Sequence, residues 1–356
     1  MHWMVLAAIV LFFIGGTALA YVVGSAGVLL FLVNEKARYL AILPQRIFSS
    51  LDVFALMAMA LFILTGEVMN RSGVTRNLVA FAMSMVGRFK GGFGHVNILS
   101  SIFFAGVSGS AVADAAALSN TLVPAMRDMG YTSRYAGAVT AASAIIGPII
   151  PPSIILIFYG ALMQVSIGGL FAAGMVPGLL LGSVLLATNA IYAHRCDHPG
   201  GRDAEIPPFL KSFRSALPAL SLPLIILGGI VFGIVTPTEA AALAVAAALA
   251  AGFFYGGIGL KGFAECVERS ARLTGTIFMI LCAAAVIGYI SSLEQWPQRV
   301  VETVNAAGLS GIQFMLLVNL VFLCAGMIMD VPLALALLVP LMAPACLAQG
   351  IHPIHL

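Results

Sequence analysis

The segment covering residues 94–160 constrains this chain more than any other, because two breaks interrupt an otherwise apolar run. The first break, residues 108–114, reads Ser-Gly-Ser-Ala-Val-Ala-Asp and follows an apolar arm, residues 94–106, of only 13 residues. A helix needs about 20 residues to cross a bilayer, so an arm of that length reaches the midplane and must then turn back. The sequence therefore predicts a re-entrant hairpin at about residues 92–126.

The second break interrupts the next apolar segment at residues 147–153, which read Gly-Pro-Ile-Ile-Pro-Pro-Ser. Prolines remove backbone donors and disfavour helical geometry in the residue before them, so a broken helix is predicted at about residues 135–163. Backbone released from its hydrogen-bond ladder is tolerated in a membrane only where it lines a cavity or is buried in protein. Two such breaks close together indicate a site for a small polar solute or ion.

Composition limits the chain to one class of protein. Of its 356 residues, 61% are hydrophobic and only 9% are charged, which excludes a soluble domain and predicts an all-α polytopic protein embedded in the lipid bilayer. The net charge of +3 is too small and dispersed to suggest nucleic acid as a partner. The five cysteines show no paired spacing and are interpreted as core residues. The apolar run after Met1 is interpreted as a retained span rather than a signal peptide.

The order of elements is repeated along the chain. Residues 1–193 are predicted to form a first repeat, residues 194–214 a hydrophilic linker, and residues 215–356 a second repeat with its own hairpin at about 310–347. Asp114 and Asp330 each precede a Leu-Val-Pro-x-Met motif at the same distance. The repeated order indicates an internal duplication.

Charge distribution predicts the orientation of the two repeats. If the first hairpin opens to the cytoplasm, residues 71–90, 127–134, 194–214 and 258–272 lie inside and carry 13 of the 17 Lys and Arg residues. That bias obeys the positive-inside rule. An odd number of spans then separates the hairpins, so the repeats are inverted. Inverted repeats with discontinuous helices at mid-depth are typical of a secondary transporter.

The candidate site residues lie at these breaks. An acid such as Asp114 at membrane depth is costly and indicates function, although it is also a suitable N-cap for a helix beginning at Ala115. Ser108 and Ser110 offer hydroxyls for a small cation, or serve close helix packing. Residues 119–121 face either the site or a neighbouring helix, and Thr236 and Glu239 are interpreted as a helix cap. The full set of predicted ion- or substrate-binding residues is Ser108, Gly109, Ser110, Asp114, Gly147, Pro148, Pro151, Pro152, Ser153, Gly326 and Asp330, with a small cation at Ser108, Ser110, Gly147 and Pro151.

Four motifs together resemble the large membrane subunit of the tripartite ATP-independent periplasmic (TRAP) transporters. They are FALMAMALFILTGEVMNRSGVTRNLV (54–79), GVSGSAVADAAAL (106–118), AASAIIGPIIPPSI (141–154) and GIVTPTEAAALAV (233–245). The resemblance implies an elevator-type, sodium-driven importer of small organic acids such as C4-dicarboxylates or sialic acids, in the bacterial inner membrane. It also implies a small four-span membrane subunit and a periplasmic substrate-binding protein as partners, no cofactor besides the coupling ion, and no enzymatic activity.

The resemblance also implies a second broken helix with a Pro-Pro pair after the second hairpin, followed by a final span. The sequence ends just before that helix is expected, so we interpret it as C-terminally incomplete.

Two other functions fit part of the pattern. A stand-alone sodium–dicarboxylate carrier shares the hairpin architecture but needs no binding protein, so uptake with and without that protein separates the two. An intramembrane aspartyl protease would pair Asp114 with Asp330 within hydrogen-bond reach. Neither aspartate lies in a GxGD motif, and the proline breaks have no use in that chemistry.

Overall fold

A computed structural model describes residues 2–199, 206–254 and 258–356, and every regular element within those ranges is helical. The linker predicted at 194–214 lies partly outside them. The first ten α-helices are α1 (His2–Ile14), α2 (Leu19–Val33), α3 (Leu43–Leu51), α4 (Phe54–Arg71), α5 (Val74–Val86), α6 (Gly92–Ser108), α7 (Ala111–Asp128), α8 (Ser133–Ala144), α9 (Ile154–Met163) and α10 (Ile167–Arg195). The remaining helices are α11 (Phe209–Val231), α12 (Pro237–Phe254), α13 (Leu260–Leu293), α14 (Trp296–Ala306), α15 (Gly311–Gly326) and α16 (Val331–Ala348), and a 3-10 helix covers Ala37–Ile42.

Several of these helices have the length and composition of membrane spans. Within the described ranges, α4, α10, α11, α13 and α16 are each long and apolar enough to cross a bilayer. Shorter apolar helices, among them α2, α6, α9 and α15, fall below the length of a full span. The described part of the chain is therefore an all-helical polytopic membrane protein, as the composition predicts.

Side-chain caps fix where helices begin. The hydroxyl of Ser166 accepts from the N–H of Gly169 at 3.2 Å at the start of α10. At the start of α12, the N–H of Thr236 donates to Glu239 Oε2 at 2.7 Å, and the N–H of Glu239 donates back to Thr236 Oγ1 at 3.3 Å. This reciprocal pair is a capping box, so the interpretation of Thr236 and Glu239 as a helix cap is confirmed.

The described chain divides into two compact units, and each contains residues from both halves of the sequence. One unit consists of Met1–Leu56, Ala161–Val165 and Leu273–Leu356. In it, α2 packs closely on α13, since a methyl group added at Gly27 would lie 2.7 Å from Val286 Cγ1. Just after the ends of these two helices, Lys36 and Glu294 form an ion pair of 2.7 Å. In the same unit, a hydrophobic cluster around the buried Phe314 joins α14, α15 and α16.

The other unit consists of Met57–Gly160 and Ser166–Arg272, and α6 lies at its centre. Helix α6 packs against α5, α7, α8, α10 and α11. Its buried Val96 contacts the cluster of Ala82, Leu118 and Leu122, which joins it to α5 and α7. On another face, Ile98 and Ala105 form a cluster with Ile146 and Ile150 of the following segment. Burial of α6 on so many sides positions the break that follows it at Ser108.

Candidate functional site

The tip between α6 and α7 lies directly on the proline-rich break. Gly109 has a φ of +59°, a left-handed conformation that favours glycine. A methyl group added there would lie 2.6 Å from the carbonyl oxygen of Pro152 and 3.2 Å from the Cα of Ser153. Gly109 is therefore required twice, for the turn and for the close approach to the break. The structure thus brings together the two segments that the sequence predicts to form one site.

Asp114 lies in the first turn of α7 and does not cap that helix. Helix α7 begins at Ala111, and its N-cap is Ser110, whose hydroxyl accepts from the N–H of Ala113 at 3.4 Å. The alternative interpretation of Asp114, as the N-cap of a helix beginning at Ala115, is therefore wrong. Its carboxylate instead accepts a hydrogen bond at Oδ1 from the hydroxyl of Ser108, the last residue of α6. The Ser108 oxygen also accepts from the N–H of Ser110 at 3.2 Å.

The second carboxylate oxygen of Asp114 is buried and has no hydrogen-bond donor within the described residues. The whole residue is 0% exposed. This oxygen faces the second break, because a methyl group added at Gly147 would lie only 2.5 Å from it. An ionised carboxylate in a low-dielectric interior is costly unless a cation, a proton or further hydrogen bonds compensate it. The geometry therefore leaves one buried carboxylate oxygen without a partner among the described residues, at the contact between tip and break.

The broken helix is interrupted between Ala144, the last residue of α8, and Ile154, the first residue of α9. Ser153 caps α9 by accepting from the N–H of Leu156 at 3.2 Å, and its hydroxyl donates to the carbonyl of Pro148. In the described part of the chain, no backbone N–H donates to the carbonyls of Gly147 and Pro151. Pro151, Pro152 and Ser153 are all buried. Carbonyl oxygens without a backbone donor, together with serine hydroxyls, are the hard oxygen ligands that suit a small cation.

Three supporting contacts were not predicted from the sequence. Helix α4 approaches the tip at Gly66, where an added methyl group would lie 3.3 Å from the Cα of Ser108. A methyl group added at Gly106 would lie 2.6 Å from Cγ of Pro223 in α11. A methyl group added at Gly174 of α10 would lie 2.7 Å from the carbonyl oxygen of Ile149. A glycine inside a long apolar helix is the only sequence signal for such close approaches.

A buried hydrogen-bond network between α6 and α8 was also missed. Asn97 donates through Nδ2 to Thr140 Oγ1 at 2.7 Å and accepts at Oδ1 from the hydroxyl of Ser143 at 3.1 Å. Ser101 donates to Ser143 at 2.8 Å. All four residues are at most 1% exposed. The signal in the sequence is their spacing, four residues apart on α6 and three on α8, which places each pair on one helix face.

The remaining candidates are placed separately. Gly326 is the last residue of α15, and Asp330 occupies the N-cap position of α16 without a side-chain capping bond. Both belong to the other compact unit. Of residues 119–121 on α7, Asn120 is exposed and Thr121 donates to the carbonyl of Ala117 at 3.0 Å, so neither contributes to the tip.

Residues 5–356 match the family model described as the tripartite ATP-independent periplasmic transporter, DctM component. The chain belongs to this family. Its relatives are named as transporter permease subunits and not as enzymes. The DctM membership therefore confirms the resemblance to the TRAP large membrane subunit that the four motifs indicate.

Curated relatives in this family carry several substrate names. The chain is 37% identical over 328 residues to the sialic acid TRAP transporter large permease protein SiaM of Vibrio cholerae, covering 92% of this chain and 77% of that protein. It is 36% identical over 334 residues to the C4-dicarboxylate TRAP transporter large permease protein DctM of Pseudomonas aeruginosa, covering 94% and 77%. Against the sialic acid permease SiaT of Haemophilus influenzae it is 38% identical over 309 residues, covering 86% of this chain but 50% of that protein.

Proposed function

We propose that this chain is the membrane permease subunit of a sodium-driven, binding-protein-dependent importer of small organic acids. The observation that carries the proposal is the buried carboxylate of Asp114, whose Oδ2 faces Gly147 at the break and has no donor within the described residues. A cation between tip and break compensates that charge, and family membership supplies the transport context.

Sodium is the coupling ion in this proposal. The hydroxyls of Ser108 and Ser110 and the carbonyls of Gly147 and Pro151 supply its oxygen ligands. Asp114 holds the tip through Ser108 and balances the ion's charge. A sodium ion bound at this contact ties the tip to the break, so its presence favours one arrangement of the site. Differential binding of this kind couples the ion gradient to a change of state.

An anionic substrate fits beside the ion because helices begin on both sides of the contact. Helix α7 starts at Ala111 and α9 at Ile154, and helix N-termini carry partial positive charge. Small carboxylates are the substrate class that we propose, since relatives are named for sialic acid and C4-dicarboxylate.

The proposal includes an elevator-type architecture of two inverted repeats, residues 1–193 and 215–356, in the bacterial inner membrane. Gly326 and Asp330 form the second repeat's counterpart of the tip. A small four-span membrane subunit and a periplasmic substrate-binding protein complete the transporter. The positive-inside distribution of Lys and Arg supports this orientation.

Uptake into proteoliposomes tests the proposal. The full-length protein is reconstituted with a small subunit, a binding protein and either succinate or N-acetylneuraminate, with an inward gradient of sodium or of choline. Uptake is expected only with sodium and only with the binding protein. Asp114→Asn is expected to lose sodium-driven uptake, whereas Asp128→Asn, at the exposed end of α7, is expected to retain it. Uptake without any binding protein would instead identify a stand-alone carrier.

A binding measurement separates ion binding from transport. Sodium chloride is expected to raise the melting temperature of the detergent-purified chain relative to choline chloride, because a ligand that binds only the folded state stabilises it. The same comparison on Asp114→Asn is expected to show no difference between the two salts. An equal sodium effect in both proteins would place the ion elsewhere.

A further inference from the structure

A groove of about 930 Å³ lies between α8 and α10, well separated from the hairpin tip. Both helices pack on α6 but make few contacts with each other, and Ile98 of α6 lines the groove between them. Ile98 precedes Ser108 by ten residues, which corresponds to about 15 Å along the helix. The volume is near the upper end of the roughly 300–1,000 Å³ typical of ligand pockets.

The two ends of the groove differ in polarity. One end is lined by Thr132, Ser133 and Arg134 at the start of α8, together with Asn189 and Tyr192 near the end of α10. The other end is lined by apolar side chains, namely Ala138, Val139, Ala142, Leu185 and Ile98. From Ser133 to Ala142 the α8 wall rises by about 14 Å, close to the ~15 Å half-thickness of a bilayer's hydrocarbon core. The groove therefore passes from polar to apolar over about the depth of one leaflet.

The polar end carries an arginine that pairs with no acid among the described residues. Arg134 is exposed and forms no ion pair with any described carboxylate. Beside it, the rings of Tyr135 and Tyr192 are parallel, with centroids 5.7 Å apart. The hydroxyl of Tyr135 donates to Asn189, which holds its ring in place. Tyrosines concentrate at the membrane–water interface, so this end of the groove matches the level of lipid head groups.

We infer that the groove binds one anionic glycerophospholipid of the surrounding bilayer, with its phosphate at Arg134 and an acyl chain along Ala138, Ala142 and Leu185. A water-soluble anion would leave the apolar wall uncovered and meet a single exposed arginine, which binds weakly. A neutral lipid would cover the wall but leave Arg134 without a counter-charge. An anionic lipid satisfies both ends. The predicted cytoplasmic position of residues 127–134 places the head group in the leaflet where anionic lipids attract basic residues.

Photo-crosslinking in nanodiscs tests this site. The full chain is reconstituted with trace phosphatidylglycerol or phosphatidylcholine carrying a diazirine in the acyl chain, irradiated, digested and analysed by mass spectrometry. Adducts are expected on residues 138–142 and around Leu185, about fivefold more with phosphatidylglycerol. That ratio corresponds to the ~1 kcal/mol that one Lys or Arg contributes near an anionic surface. Arg134→Gln is expected to equalise the two lipids, whereas the matched control Arg127→Gln, exposed at the end of α7, keeps the preference.

A second variant checks the apolar end independently of charge. Ala142→Phe is expected to fill the groove and reduce labelling by both lipids, with the melting temperature compared to that of the unmodified chain as a folding control. Equal labelling by the two lipids in the unmodified chain would overturn the assignment of an anionic ligand. Absence of adducts on the groove residues would overturn the lipid site.

Discussion

Gly147 lies so close to Asp114 that a methyl group on the glycine would be 2.5 Å from the carboxylate oxygen Oδ2. The two residues are 33 positions apart and belong to the two breaks that interrupt the apolar sequence. Because Oδ1 is occupied by the hydroxyl of Ser108, the oxygen facing Gly147 is the one left for another partner. The absence of a side chain at residue 147 thus determines how much space remains beside the acid.

Gly147→Ala is expected to weaken sodium binding, because the added methyl group displaces the Asp114 carboxylate or takes the place of the ion. An overpacked buried site typically costs about 1–3 kcal/mol, so the sodium concentration for half-maximal uptake should rise roughly tenfold. The control is Gly137→Ala on the preceding helix, where no atom lies within 4 Å of the added group. Equal sodium dependence in the two variants would contradict a site at this contact.

Ser110→Ala and Pro151→Ala are each expected to raise the sodium concentration needed for half-maximal uptake. Ser110→Ala removes a hydroxyl and also an N-cap, and loss of the cap alone costs about 1 kcal/mol of stability. Ser166→Ala removes an equivalent cap at the start of α10 and therefore reports the capping effect alone. Sodium titrations of uptake and melting curves are compared for all three variants. An identical sodium response in Ser110→Ala and Ser166→Ala would assign Ser110 to capping only.

The native Cys196 offers a test of orientation. It is exposed immediately after α10, in the segment predicted to be cytoplasmic, and Cys324 is also exposed. In a variant with Cys196 as the only cysteine, an impermeant maleimide added to intact cells is expected to leave it unlabelled until the membrane is permeabilised. Arg38→Cys in a cysteine-free background lies in the segment predicted to be periplasmic and is expected to react at once. Labelling of Cys196 from outside would reverse the orientation.

Acid pH is expected to release the segment after α10. Burial lowers the pKa of His198 below its ordinary 6.5, and the hydrogen bond from Lys90 lowers the pKa of Asp197 below its ordinary 3.8. The docked segment favours neutral His198 and ionised Asp197. Its stability is therefore full above pH 6.5 and falls as protons bind, first through the histidine and then through the aspartate.

Hydrogen exchange of the backbone around residues 193–199 measures this release. Protection is expected to decrease from about pH 7 towards pH 5, after correction for the intrinsic exchange rate. His198→Asn should remove most of that decrease, because asparagine does not bind a proton in this range whereas the histidine ring, whose centroid lies 4.3 Å from that of Tyr135, does. His194→Asn, the same substitution at a neighbouring exposed residue, should keep it. A pH response unaffected by His198→Asn would exclude the histidine as its source.

The two breaks were predictable from the sequence because glycine, proline and serine act locally on the backbone. The alternative in which Asp114 caps α7 placed the start of the helix too late, since Ser110 and Asp114 are both suitable caps and the residues between them do not distinguish the two. Contacts of Gly66 and Gly174 with the tip and the break join helices far apart in sequence. Such contacts leave no periodic signal, so only the folded chain reveals them.

The hydrogen bonds that join Asn97, Ser101, Thr140 and Ser143 also limit how the site can open. A slide of α6 by the rise of one residue, 1.5 Å, would shift Asn97 and Ser101 relative to Thr140 and Ser143 and disturb all three bonds together. The hydrogen bonds thus fix the register of α6 against α8. The tip at the end of α6 and the break at the end of α8 cannot separate by helix sliding. Under the proposed function, release of an ion from this contact therefore requires a motion other than sliding of α6 along α8.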